Sequence, residues 1–155
     1  QCPCGGHGCL ERLVRPNRMR ERLRARADEY KKSCLADIDF EEMNYQKLFE
    51  GSAAGDSLCR EESIYYAGIF GIALRNIILV TDPSYIIFQG DIAFADDAFR
   101  ERMVSCIREF LYIEKDAELN ILYDKHSLTE QETMGAAYCL VMDYIKNTER
   151  YISMK

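Results

Sequence analysis

Proline is scarce and glycine unexceptional. Three prolines and nine glycines in 155 residues exclude a collagen-like or low-complexity chain. Long apolar runs are also missing. The longest, Ala67–Val80, is broken by Arg75 and Asn76 and falls short of the roughly 18 residues a membrane span requires. The first residues, Gln1-Cys2-Pro3-Cys4, lack the basic start and apolar stretch of a secretory signal. These absences lead us to expect a cytoplasmic protein without a membrane segment. With 48% hydrophobic and 30% charged residues the chain can build one core, and it is too short to expect two domains. It opens with Gln rather than Met, and a cysteine cluster stands before any secondary structure, so it reads as a piece of a longer protein.

The net charge of −6 is unevenly spread. Residues 11–32 hold nine Arg or Lys against four acids, Glu11, Glu21, Asp28 and Glu29, leaving the remainder strongly acidic. A basic run can be a nucleic-acid footprint. Here the bases recur at nearly every second position, so on a helix they surround it rather than form a stripe, and no aromatic residue interleaves before Tyr30. A solvated or acid-pairing surface is the plainer reading. Direct nucleic-acid contact stays the alternative.

Leu10–Leu35 reads as helical, restarted near Pro16-Asn17, and Asp39–Ala54 as a short helix ended by Gly55-Asp56. Asp56 then caps a long helix that becomes almost wholly apolar, a pattern expected to be buried on all sides in a core or subunit interface. Pro83 ends it. Tyr85–Phe88 suits a strand buried on both faces. Phe99, Met103, Ile107, Phe110 and Leu111 fall at helical spacing after Asp96 or Asp97. Leu119–Tyr123 reads as a second strand. Thr129-Glu130-Gln131-Glu132 has capping-box spacing and opens a last helix with Met134, Ala137, Tyr138, Val141 and Ile145 on one side. The order is α/β, helix-rich with few strands, and two strands make a poor sheet, as in a cut-down domain.

Seven cysteines fall into two sets. Cys34, Cys59, Cys106 and Cys139 are isolated and read as small core residues. Cys2, Cys4 and Cys9 are different, because three soft ligands lie within eight residues with glycines between them. Glycine lets the backbone fold tightly enough for such close thiolates to meet one ion. Under reducing conditions a metal is favoured over disulfides, and zinc suits thiolate ligands. Disordered or oxidised thiols are the alternative. Three ligands do not close a structural site. His7 lies inside the tight loop, where its ring has difficulty turning back, and His126 is remote in sequence.

Cys2-Pro3-Cys4-Gly5-Gly6-His7-Gly8-Cys9-Leu10-Glu11 resembles the zinc signature of the ROK family, bacterial repressors and sugar kinases. The resemblance continues through Gly71–Ile78 with Asp82-Pro83, through Tyr85–Ala93, and through Ser127-Leu128 with Gly135-Ala136-Ala137. It implies the C-terminal lobe of an actin-like (ribonuclease-H-like) fold, with residues 1–11 as the zinc-binding segment and 12–155 as the lobe. It also implies a zinc ion held by Cys2, Cys4 and Cys9 with a histidine upstream of Gln1. Glu11 is then the residue that contacts sugar hydroxyls, although an acid at that place also suits an ordinary helix N-terminus.

The family's phosphate-binding loop and catalytic Asp would lie upstream, so no residue here is assigned a catalytic role. Gln89-Gly90-Asp91 departs from the consecutive glycines usual in the kinases. A carboxylate there is a poor neighbour for phosphates, and Gly90 is the one cofactor-binding candidate, with service to the turn alone as its plainer role. The expected function is therefore the effector-binding and dimerisation part of a sugar-responsive transcriptional regulator, closest to xylose-type repressors. Its sugar is xylose or a hexose, and it reaches DNA only through an N-terminal domain absent here. The C-terminal part of an ATP-dependent sugar kinase is the runner-up, and a zinc-stabilised interaction module without a sugar the third reading.

Overall fold

Leu10–Val14 forms a short helix, α1, which Arg15 leaves in extended backbone. Pro16 then opens α2 (Pro16–Ala25) at the first helical position, where a missing N–H costs nothing. In this computed structural model residues 2–109 and 120–148 are described. α3 (Ala27–Tyr30) follows, and helix stops there rather than at Leu35. Ser33 is the reason. Its hydroxyl donates to the Tyr30 carbonyl (2.7 Å) and accepts the Leu35 N–H (3.1 Å), replacing the next helical bonds with a local turn.

The expected helix from Asp39 divides in two. Asp39 accepts from the Glu41 N–H and starts only a 3-10 turn, Phe40–Glu42, while Asn44 caps α4 (Tyr45–Ala53) through the Lys47 N–H. α5 (Ser57–Thr81) is capped by Asp56, as its sequence indicates. Asp82 closes it in the left-handed region, φ 43°, a conformation Asp tolerates better than most residues, and Pro83 follows. β1 (Tyr85–Phe88), a 3-10 turn (Gly90–Phe94) and α6 (Asp97–Arg108) come next, then β2 (Asn120–Tyr123) and α7 (Leu128–Lys146). β1 and β2 pair in parallel, Tyr85 opposite Asn120 and Phe88 opposite Tyr123. Phe110, Leu111 and Leu119 lie outside the described residues. The capping box of α7 is formed by Ser127 with Glu130, two residues before the expected Thr129.

α5 is the hub of the core and packs against both α4 and α6, which also touch each other. Phe49 of α4 meets Phe99 of α6 edge-on at 5.1 Å, and Tyr66 of α5 meets Tyr45 edge-on at 5.2 Å. Gly71 lets α6 approach closely: a Cβ there would stand 2.6 Å from Cys106 Cβ and 2.9 Å from the Met103 carbonyl oxygen.

Within the single chain α5 is covered in part: Ile72, Ile77, Leu79 and Val80 are exposed, so the expected burial is met by the core on one side and is left to a subunit interface on the other. One burial expectation is corrected. β1 is covered on one face only. Ile86 and Phe88 pack on the core, whereas Tyr85 and Ile87 face outward because a two-stranded sheet carries the helical core on one side. The side of α7 marked by Met134, Tyr138, Val141 and Ile145 is exposed as well. By length and composition α5 is apolar enough to cross a membrane, contrary to the run-length reading. Its first half, however, buries Glu62 and Ser63 against polar partners, which is the chemistry of a protein core.

Candidate metal centre

Cys2, Cys4 and Cys9 converge. Their three sulfur atoms lie within 4.8 Å of one another, with Cys4 and Cys9 at 3.5 Å. The tight loop is closed by the Cys2 N–H on the Gly6 carbonyl (3.1 Å) and the Gly5 N–H on the Cys2 carbonyl (2.9 Å). Gly5 and Gly8 adopt positive φ, 82° and 74°, where a side chain would be strained. A tetrahedral ion with metal–sulfur bonds of ~2.3 Å separates its sulfurs by ~3.8 Å. The observed spacing fits such a set after small rotations of the thiols. The Gly6 N–H, with the Cys2 and Cys9 thiols, holds Cys4 below the usual thiol range. Hydrogen bonding to Cys4 and Cys2 pushes Cys9 above it. One thiolate is thus favoured at the expense of its neighbour, as expected of three acids sharing one space.

The loop runs directly into α1. Cys9 is its N-cap residue, and the Cys9 carbonyl accepts from the Arg12 and Leu13 N–H groups. α1 is tied to the core at its other end, where the Tyr45 hydroxyl donates to the Val14 carbonyl at 2.7 Å. Glu11 sits on the first turn between these two anchors. Its carboxylate is exposed, and among the described residues no side-chain hydrogen bond or ion pair engages it. His7 is exposed and outside the sulfur cluster. His126 is paired with Asp124 (2.6 Å).

Three-dimensional placement also brings together groups that are distant in sequence. The basic run is an acid-pairing surface. Arg22 holds the buried Glu62 through two bonds of 2.8 and 3.0 Å while stacking on the Tyr65 ring, and Arg26 adds a third at 3.1 Å. Arg18 pairs with Glu21, Arg24 with Glu41, and Arg26 also with Glu29 and Glu61. The cysteines outside the loop divide as well. Cys59 and Cys106 are core residues, but Cys34 and Cys139 are exposed. Cys34 and Cys59, 25 positions apart, meet beside Asp56 with sulfurs at 3.9 Å.

The family model described as ROK matches residues 1–143. The chain belongs to the ROK family. The DNA-binding transcriptional dual regulator NagC of Escherichia coli strain K12 is 24% identical over 107 residues, covering 69% of this chain and 26% of that protein. A xylose repressor of Caldicellulosiruptor bescii is 22% identical over 127 residues, 80% of this chain and 31% of that protein. The chain thus spans between a quarter and a third of the length of these relatives. Among solved structures, a ROK transcriptional regulator homologous to the Escherichia coli MLC protein matches with a TM-score of 0.69 at 25% identity, over 81% of this chain and 31% of that one. A structure described as a sugar kinase from Cytophaga hutchinsonii matches with a TM-score of 0.60 at 28% identity, over 72% and 38%. The fold is therefore that of the actin-like ROK proteins, helix-rich with few strands.

In this ROK chain the turn after β1 is built around its own residues. Gly90 has φ 64°, and a Cβ there would meet nothing within 4 Å, so backbone conformation rather than crowding requires the glycine. Asp91 turns its carboxylate onto the Tyr45 N–H at the start of α4 (3.3 Å). This carboxylate serves a helix terminus.

Proposed function

We propose that the chain is the effector-binding and dimerisation part of a sugar-responsive ROK transcriptional regulator. The observation that carries this reading is the exposed carboxylate of Glu11, unengaged among the described residues and held between the cysteine loop and the Tyr45 anchor. A carboxylate so placed accepts two hydroxyl hydrogen bonds from a sugar. Cys2, Cys4 and Cys9 are the ligands for a zinc ion, whose role when bound is to fix the loop that positions Glu11. Residues 1–11 form this segment and residues 12–155 the lobe it docks on. The relatives named as repressors of N-acetylglucosamine and xylose systems support xylose or a hexose as effector, a cytoplasmic setting, and DNA contact through a domain outside this chain.

The kinase reading is favoured by the neighbour described as a sugar kinase. Asp91 argues against it, because its carboxylate adds negative charge where phosphates would approach, and Gly90 offers a single glycine. Titration calorimetry with xylose, glucose and N-acetylglucosamine tests the proposal. One sugar is expected to bind, and Glu11→Gln to weaken it by about tenfold or more. Full affinity in the variant removes Glu11 from the site. Sugar-dependent ADP release from ATP would replace the regulator reading with the kinase one.

A further inference from the structure

Cys34 and Cys59 form a second pair of thiols, apart from the cysteine loop. Three features preorganise them. Their sulfurs are 3.9 Å apart. One carboxylate holds both backbones, Asp56 accepting the Cys34 N–H at 2.8 Å and the Cys59 N–H at 3.0 Å. Gly51 of α4 backs both sulfurs, since a Cβ there would lie 2.8 Å from Cys34 Sγ and 2.5 Å from Cys59 Sγ. The two thiols differ in access: Cys34 is exposed on the turn after α3, and Cys59 is buried in the first turn of α5.

We propose that Cys34 and Cys59 are a reversible dithiol–disulfide site that exchanges with small-molecule disulfides of the glutathione type, Cys34 reacting first and Cys59 resolving. In the first step the Cys34 thiol gives its proton to water, and its thiolate attacks one sulfur of glutathione disulfide. That S–S bond breaks and one glutathione leaves, taking up a proton. In the second step Cys59 loses its proton and attacks Cys34 Sγ, and the second glutathione leaves as a thiol. Two protein thiols are oxidised, and one glutathione disulfide is reduced to two thiols. The sulfurs must close from 3.9 Å to ~2.05 Å. That movement falls to the turn carrying Cys34, since Cys59 lies within the first turn of α5. Burial pushes both thiols up, with the Asp56 charge adding to it. The bond would tie the turn that follows the arginine-rich helices to the start of α5, enclosing α4.

The test is peptide mapping of the purified protein after equilibration in graded glutathione redox buffers. The expected result is a linked peptide joining Cys34 to Cys59, lost again on reduction with dithiothreitol, and a higher thermal unfolding midpoint for the linked form. Cys59→Ser should stop at a glutathione adduct on Cys34, and Cys34→Ser should leave Cys59 unmodified. The proposal is overturned if no such peptide forms across the buffer range, if Cys34 links instead to Cys2, Cys4 or Cys9, or if Cys59 is modified before Cys34. It is equally overturned if zinc added to the reduced protein occupies two sites and protects Cys34 and Cys59 from alkylation. Because mapping reads the unsubstituted protein, a variant that fails to fold does not decide the outcome.

Discussion

Glu62 is fully buried on α5, where Arg22 and Arg26 reach its carboxylate with three hydrogen bonds. Arg22→Ala removes the bidentate pair and leaves a buried carboxylate with one partner. We expect about 3 kcal/mol of lost stability in urea unfolding. A loss within error would mean that water enters and solvates Glu62. A second residue reports on pH. The Asp124 carboxylate, bonded to the His126 ring, raises the imidazole above its ordinary value, and Asp124 is itself lowered by that bond. A raised histidine contributes stability that is fully present below its unfolded pKa of about 6.5 and fades as pH climbs through the higher folded value. Nuclear magnetic resonance titration should place the His126 midpoint above 6.5, and Asp124→Asn should bring it down. An unchanged midpoint would show that the pair is not formed in solution.

At the scale of the element, α5 contains two glycines with opposite roles. Gly71 sits where α6 crosses, and alanine there collides with Cys106 and the Met103 carbonyl. The clash outweighs the gain in helix propensity, so Gly71→Ala should cost about 1–2 kcal/mol. Gly68, three residues earlier, faces open space, and Gly68→Ala should stabilise by about 0.5–1 kcal/mol. Thermal melts of the two variants that shift in the same direction would contradict the packing. Neither role can be read from sequence, because both glycines sit in one apolar run. Helix starts were more legible. Asp56 is followed directly by helix-period residues and caps as expected, whereas Ser127 and Thr129 each precede an acid at the right spacing, so spacing alone does not choose between them. Which faces of α5 and β1 are covered depends on partners that period alone does not name.

For the whole molecule, the zinc signature and the order of the weaker segments made family and fold legible, since a short local motif survives where tertiary pairing is invisible. The Arg22–Glu62 and Cys34–Cys59 pairs, separated by 40 and 25 residues, were not legible. The sulfur cluster was, because its three cysteines are neighbours in the chain. Three thiols form an incomplete set for zinc, so elemental analysis should find metal that a chelator strips readily. A tightly held ion that survives replacement of Cys2, Cys4 and Cys9 would refute the assignment. The exposed stripe of Ile72, Ile77, Leu79 and Val80, with the apolar side of α7, is expected to be covered by a second copy of the chain. Sedimentation should report a dimer, and a monomer at high concentration would exclude that packing.

Asp96 stands at the N-cap of α6 without capping it. Its two oxygens instead accept the Ser52 hydroxyl of α4 (2.7 Å) and the Ser63 hydroxyl of α5 (2.6 Å). Unwinding the start of α6 therefore breaks its hydrogen bonds to two other helices at once. Amides in α4, α5 and the first turns of α6 should exchange with solvent deuterium through a single shared opening, so that these three helices behave as one cooperative unit rather than three.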